Sequence, residues 1–224
     1  MTINGIAVII LAAGSSSRMN GVKKEFYKLE NGVTALGASA LAFASVPGID
    51  SIVIAVPQGA ENDAREALPP DLLAALKPEI RFVTGGSSRR ASVFNALSVL
   101  EDSKPDYVLI HDGARPWVSS SLAEKIIAAA KKHNAAIPLL PITDTPKEYD
   151  GLFVKNHLKR ANVGTAQTPQ AFKFAQILDA HKKAAELDEE FTDDAEIWGR
   201  FIGQVAVVAG EPENKKITFI EDLN

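Results

Sequence analysis

The sequence predicts an α/β fold built on a doubly wound, mostly parallel sheet with helices on both faces. Three observations point there. Short apolar runs alternate with helical patterns along most of the chain. The first run, Ile6–Ala12, opens directly into the small residues Ala13-Gly14-Ser15-Ser16-Ser17, and ligands bind at such strand ends in open α/β sheets. Finally, 224 residues, 46% of them hydrophobic, suffice for one large domain with a substantial core.

The elements follow in order. Ile6–Ala12 reads as a buried strand and Ala35–Ala44 as a helix ending before Pro47-Gly48. Ile52–Val56 is the next strand, closed by Pro57. Glu61–Leu68 and Asp71–Leu76 are short helices split by Pro69-Pro70. Ile80–Thr84 is a strand broken by Gly85-Gly86, and Arg90–Leu100 carries Val93, Leu97 and Leu100 at helical spacing. Tyr107–Ile110 is a strand, Ser121–His133 an amphipathic helix with Leu122, Ile126, Ile127 and Ala130 on one face, and Ala135–Leu140 another strand. From about 141 to 167 the pattern shortens into pieces with turn residues (Asp150-Gly151, Asn162), which predicts a hairpin-type excursion. Helices near Gln170–Leu187 and Asp193–Trp198 and strands at Val205–Ala209 and Lys216–Phe219 complete the expectation.

The bulk numbers exclude several function classes. The net charge of −4 is wrong for a non-specific nucleic-acid binder, so no nucleic-acid partner is expected. The absence of cysteine removes disulfides, thiol nucleophiles and Cys-based zinc sites. His111, His133, His157 and His181 show no metal-ligand spacing, and no protein-bound metal is expected. Ile6–Ala13 is short and lacks a basic flank, so it reads as a strand rather than a signal peptide. No apolar stretch reaches the roughly 18–20 residues that span a bilayer. The expectation is a cytoplasmic protein with no membrane partner.

Four segments carry chemistry. In the loop after the first strand, small residues let backbone N–H groups approach a phosphate, and Arg18 and Lys23-Lys24 add cations. The segment is neither a Walker A loop nor a dinucleotide fingerprint, since Gly-Lys-Ser/Thr and Gly-x-Gly-x-x-Gly are both missing. Gly85-Gly86-Ser87-Ser88-Arg89-Arg90-Ala91-Ser92-Val93 leaves a strand and opens a helix, which suits a base or phosphate pocket or an ordinary junction. His111-Asp112-Gly113-Ala114-Arg115-Pro116 puts a carboxylate at a strand end, for hydroxyls, a metal–triphosphate complex, a helix cap or an ion pair with Arg115. Lys159-Arg160, followed by Thr165-Ala166-Gln167-Thr168-Pro169-Gln170-Ala171-Phe172, is the fourth.

Ala12-Ala13-Gly14 with Arg18, then Lys24 shortly before an aromatic residue, resembles the signature of sugar-nucleotide and polyol-phosphate nucleotidyltransferases. Ser16 stands where a second glycine is usual and Lys23 where a proline is usual; spacing to Phe26 favours Lys24 for the lysine role. Gly-Gly-x-x-Arg-x-x-Ser-Val, His-Asp-x-Ala-Arg-Pro, Asp144-Thr145-Pro146-Lys147 and Thr-Pro-Gln-x-Phe, in this order from Ile6 to Leu223, resemble the 2-C-methyl-D-erythritol 4-phosphate cytidylyltransferase family of the non-mevalonate isoprenoid pathway. Asp144-Thr145 fits this family better than the related ribitol 5-phosphate cytidylyltransferases. A non-catalytic nucleotide-binding module on the same fold is the reading from another class.

The resemblance implies a Rossmann-like nucleotidyltransferase domain over 1–224 with a protruding β-arm at about 141–167. It implies transfer of CMP from CTP to the polyol phosphate, with release of pyrophosphate. Arg18, Lys24 and Lys216 are then the catalytic cations. Ala12, Ala13, Gly14, Gly86, Ser92, Asp112 and Gly113 hold the nucleotide, while Asp112, Thr145, Arg160 and Thr168 hold the second substrate. Mg²⁺ enters through the CTP phosphates, and a homodimer exchanges its arms so that Arg160, Thr168 and Thr145 reach the partner's site. In the acidic segment Thr192-Asp193-Asp194-Ala195-Glu196, Asp193 with Glu196 reads as a capping arrangement at a helix start, and the resemblance, acidic here too, leaves open an indirect role in placing the lysines. Trp117 and Trp198 read as packing residues.

Overall fold

The computed structural model describes residues 5–14 and 23–223. Its main sheet has eight strands: β1 (Ile6–Leu11), β2 (Ile49–Val56), β3 (Glu79–Thr84), β4 (Tyr107–Asp112), β5 (Ala135–Pro141), β8 (Gly164–Ala166), β9 (Gln170–Lys173) and β10 (Ala206–Ala209). Strands β6 (Lys147–Asp150) and β7 (Phe153–His157) form a separate antiparallel pair. The order across the main sheet is β10-β5-β9-β4-β1-β2-β3, with β8 on β5. The half made of β4, β1, β2 and β3 is parallel throughout.

The sheet is buried on both faces, which explains why its strands read as continuous apolar runs. Along β1 the pleat sends Ile6, Val8 and Ile10 into one core and Ala7 and Ile9 into the other. The first core is covered by α1 (Ala35–Ala44), α2 (Glu61–Glu66), α3 (Pro70–Ala74) and α5 (Ser120–His133). The second is covered by α4 (Arg89–Val99), α6 (Phe174–Ala185) and α7 (Asp194–Phe201). Capping residues set several helix starts: Thr34, Ser88, Ser119 and Asp193 each accept a hydrogen bond from an N–H in the first turn. Asn134 ends α5 in the left-handed conformation, φ 68°, where a short polar side chain is tolerated.

Two expectations are corrected. The helix expected from Gln170 begins only at Phe174. Gln170–Lys173 is instead strand β9, antiparallel between β4 and β5. It sends Ala171 into one core and Phe172 into the other, where Phe172 packs on Trp198 with ring centroids 5.5 Å apart. A four-residue strand carries too little periodicity to separate from the helix that follows it. The strand expected at Lys216–Phe219 is not one. Ile217 donates its N–H to Ala114 O at 2.8 Å, and Asp222 accepts the N–H groups of Thr218 and Phe219, so the segment crosses the strand ends rather than extending the sheet.

The β6–β7 hairpin lies inside the expected excursion, and every residue of its strands is exposed. Tyr149, Leu152, Phe153 and Val154 show large apolar surfaces there, Leu152 being 94% exposed. Trp198 is buried, with its indole N–H on Gln204 O, whereas Trp117 is half exposed. Among the described residues no helix is long and apolar enough to cross a membrane.

Because Phe172 ties β9 to the second core through a fully buried ring, Phe172→Ala should cost about 3–5 kcal/mol in unfolding free energy. Urea denaturation followed by Trp fluorescence measures this; a loss under 1 kcal/mol would mean β9 is not anchored there.

Candidate active site

The carboxyl ends of β1, β3 and β4 meet at one edge of the sheet. A Cβ on Gly85 would overlap Ala13 Cβ, and Gly85 N–H donates to Val56 O at 2.8 Å, so the loops after β1 and β3 touch. Gly113 sits equally close to β1: its N–H donates to Leu11 O, and an added Cβ would lie 2.9 Å from the same oxygen. These glycines are required by close backbone approach. The Ala12 N–H is taken by Ala55 O, so the loop's outward donors start at Ala13 and Gly14. Lys24 opens the short 3₁₀ turn Lys24–Phe26, whose neighbour Glu25 is buried beside Gly14. Lys23 is exposed. Arg18 and Ser16 lie outside the described residues.

Asp112, the last residue of β4, is the centre of charge. Its Oδ2 accepts from Lys216 Nζ at 2.8 Å. Arg115 Nε lies 3.7 Å from Oδ2, and Arg89 Nε lies 3.5 Å from Oδ1. Burial alone would raise the carboxyl's pKa, but Arg89, Lys216 and Arg115 hold it well below the usual carboxylate range. Three cations on one carboxylate leave local positive charge for an anionic ligand. Lys216 is the most accessible of them, its side chain 37% exposed.

Lys216 is delivered by a built framework. Gln167 clamps the preceding loop, donating to Glu211 O at 2.8 Å and accepting from Glu211 N at 3.1 Å. Buried Asn214 donates to Thr168 O at 2.8 Å, and its own carbonyl accepts from Arg115 Nη1 at 2.8 Å. Lys24 belongs to the same neighbourhood: two backbone N–H groups depress the Asp222 pKa most, and the charges of Lys215 and Lys24 add to the effect.

Thr168 is not on the arm. It is buried beside β4, and its hydroxyl oxygen accepts from Asp112 N–H at 3.1 Å. That hydroxyl stands 3.1 Å from His111 Nδ1, and His111 Nε2 stands 3.2 Å from Arg115 O. With Nε2–H donating to the carbonyl, a neutral imidazole accepts the Thr168 O–H at Nδ1 while the threonine oxygen accepts from Asp112 N–H. Burial pushes the His111 pKa down to about 4, which agrees. Thr168 therefore fixes the backbone of Asp112 rather than offering a free hydroxyl.

Ser92 is used internally too. Its hydroxyl donates to Ser88 O at 2.9 Å and accepts from Gly86 N–H at 3.0 Å, so it sets the shape of the Gly85-Gly86 loop. Thr145 and Arg160 stay apart from this cluster. Arg160 is exposed and donates to Thr143 O, 2.6 Å away. Among the described residues neither side chain bonds to the Asp112 group, and no three His, Asp or Glu side chains form a metal cage.

Sequence reasoning gives neither Arg89 nor Asp194 a role of its own. Arg89 occupies the arginine position of the Gly-Gly-x-x-Arg motif, which was signal enough to single it out. Asp194 was hidden by its neighbour. Asp193 is the helix cap, accepting from Glu196 N–H at 2.9 Å, while Asp194 turns inward, fully buried, against Arg89. Gln167 and Gln170 stand in the fourth segment without a role assigned to either, and Asn214 lies outside the four segments; burial singles out all three.

Fold and site define a nucleotidyltransferase-type α/β protein, with small-residue loops and converging cations at the strand ends. The chain belongs to the 2-C-methyl-D-erythritol 4-phosphate cytidylyltransferase family, whose profile matches residues 6–224. A "Bifunctional enzyme IspD/IspF" of Rhodospirillum rubrum is 38% identical over 97% of this chain and 55% of its own length. The chain thus spans about half the length of the bifunctional relatives it matches. A 2-C-methyl-D-erythritol 4-phosphate cytidylyltransferase of Bacillus mycoides is 34% identical over 96% of this chain and 93% of its own. Among solved structures, the 4-diphosphocytidyl-2C-methyl-D-erythritol synthase of Anaerococcus prevotii superposes with a TM-score of 0.84 at 32% identity, covering 98% of this chain and 92% of that one.

The neutral His111 makes the site acid-sensitive. Its ordinary pKa is 6.5, so between that value and about 4 the unfolded chain takes up a proton that the folded chain refuses. Stability is therefore lost as the pH falls through this window, by about 2 kcal/mol between pH 7 and pH 5. Urea unfolding at the two pH values measures it, and His111→Gln should flatten the dependence; an unchanged slope in that variant would refute the assignment.

Proposed function

We propose that this chain is a cytidylyltransferase that transfers CMP from CTP to 2-C-methyl-D-erythritol 4-phosphate and releases pyrophosphate, within isoprenoid precursor biosynthesis in the cytoplasm. The observation that carries the reading is the Asp112 carboxylate ringed by Lys216, Arg115 and Arg89 beside two glycine-tightened loops. Family membership supports it.

The chemistry is an in-line displacement. A phosphate oxygen of the acceptor forms a bond to the α-phosphorus of CTP, and the bond from that phosphorus to the bridging oxygen of pyrophosphate breaks. The attacking group is already an anion, so no general base is needed. The barrier lies in bringing anions together and in the charge growing on the leaving oxygens, which fixed cations and N–H donors stabilise.

Arg18 and Lys24 take the triphosphate. Lys216 leaves its contact with Asp112 to meet the α-phosphate or the incoming phosphate. The loops of Ala12, Ala13 and Gly14 and of Gly86, the latter shaped by Ser92, frame ribose and cytosine. Asp112, on the backbone supported by Gly113 and Thr168, receives substrate hydroxyls. Mg²⁺ enters with CTP, held by its phosphates and neutralising their charge.

The arm gives the second substrate its grip. In a homodimer with exchanged arms, Thr145 and Arg160 of one subunit reach the other's site. The exposed Tyr149, Phe153 and Val154 of the hairpin support a partner there. A guanidinium such as that of Arg160 grips a phosphate with two parallel hydrogen bonds.

Pyrophosphate release tests the activity directly. Full turnover is expected with CTP and 2-C-methyl-D-erythritol 4-phosphate, and at least tenfold less when ATP replaces CTP or ribitol 5-phosphate replaces the acceptor, because a pocket built around specific hydrogen bonds penalises a ligand that cannot make them. Equal rates with ribitol 5-phosphate would reassign the substrate, and no release with either acceptor would leave a binding module.

A mixing experiment tests the shared site. Arg160→Ala and Lys24→Ala proteins should each be nearly inactive, yet their heterodimers should hold one intact and one doubly defective site. With random exchange about a quarter of all sites are intact. Activity no higher than that of the separate variants, after exchange is verified with mass-tagged subunits, rules out exchanged arms.

A further inference from the structure

Behind Asp112 the charges continue away from the open edge of the site. Arg89 Nη1 donates to Asp194 Oδ2 at 2.8 Å, and Asp194 Oδ1 stands 3.1 Å from His181 Nε2. Asp194 and His181 are both fully buried. Burial would raise the Asp194 pKa, but the Arg89 charge and the His181 contact keep it lowered. His181 Nδ1 is buried without a hydrogen-bond partner among the described residues, so Asp194 is that ring's polar partner. The first turn of α7 is itself clamped: Gln170 donates to Asp193 Oδ2 at 2.8 Å and accepts from Ala195 N–H at 3.1 Å.

A buried histidine–carboxylate pair is costly in a core and has no part in the transfer chemistry above. What it holds is Arg89, and it holds it unevenly. The guanidinium is hydrogen-bonded to Asp194 at 2.8 Å but stands off at 3.5 Å from Asp112. Without the Asp194 charge, the guanidinium would turn to the other carboxylate it already faces, Asp112. It would then compete with Lys216 and with substrate hydroxyls for the same oxygens.

We propose that Asp194, backed by His181, is a positioning residue for the transfer reaction: it anchors Arg89 from behind and keeps the Asp112 carboxylate available to Lys216 and substrate. The inference rests on the functional reading above for what Asp112 and Lys216 do.

Steady-state pyrophosphate release by the full chain, with CTP and 2-C-methyl-D-erythritol 4-phosphate, tests it. Asp194→Asn should lower kcat/KM for the acceptor about tenfold or more, and Arg89→Gln/Asp194→Asn should be no worse than Arg89→Gln alone, since the coupling runs through Arg89. A purely structural role moves the melting temperature without that coupling. Wild-type kinetics in folded Asp194→Asn, or losses that multiply in the double variant, would overturn the proposal. Should Asp194→Asn not fold, His181→Leu should lose a few-fold in the same parameter and His181→Gln, which keeps a donor, should restore it; no loss with Leu, or equal loss with Gln, overturns it. If wild-type protein releases no pyrophosphate from this pair, the functional reading fails. A crystal structure of Asp194→Asn, or of His181→Leu in its place, then decides the positioning: Arg89 drawn onto Asp112 supports it, and an unmoved Arg89 overturns it.

Discussion

A carboxylate buried at the end of a central strand cannot stand alone, and much of this molecule follows from that constraint. Asp112 lies where β4 leaves the sheet, beside the end of β1. An uncompensated charge there would cost several kcal/mol. The compensation comes from three separate stretches of chain: Arg89 at the start of α4, Arg115 three residues on, and Lys216 nearly at the other end of the sequence. Each cation brings its own support. Lys216 needs the Gln167–Glu211 and Asn214–Thr168 bonds, and Arg89 needs Asp194. One anion thus organises loops that the sheet topology alone would leave independent.

A second, uncharged network keeps the first in register. The chain of hydrogen bonds from Asp112 N–H through Thr168 and His111 to Arg115 O closes a loop around the residues that hold the charges. It works because His111 is neutral; a protonated ring would lose the acceptor that Thr168 needs and add a fourth positive group. Sheet geometry supplies the setting. His111 lies one residue before Asp112 on β4, so their side chains point to opposite faces, one toward the Phe43 ring 4.9 Å away and the other toward the ligand edge.

Much of the fold was legible in the sequence because strands buried on two faces leave long apolar runs and capped helices leave polar starts. Ala35–Ala44 falls as the pattern predicts, and α5 differs by one residue at its start. What escaped was short or non-local. Strand β9 offers four residues beside a strongly periodic helix, and Lys216–Phe219 has strand-like composition but no neighbouring strand to pair with. At the site, Asp112, Lys216, Gly86, Gly113 and Ser92 could be named from motifs, but how each is used could not. That Ser92 spends its hydroxyl on backbone and Thr168 on the Asp112 N–H and the His111 ring, or that Asp193 and Asp194 divide into a cap and a buried counter-ion, depends on which face each residue presents once the chain is folded.

The position of β9 has a consequence for how a growing chain closes its sheet. Strands β1 to β4 form a contiguous parallel block once residue 112 has been made. Strand β5 follows with no place beside β4, because β9 occupies it. Residues 142–169, the whole β6–β7 hairpin among them, separate β5 from the strand that links it to β4. Only the arrival of Gln170–Lys173 joins the two halves, and Lys216 reaches Asp112 later still. In chain order, then, the strand that joins the two halves of the sheet and the last cation of the Asp112 cluster both come after the arm.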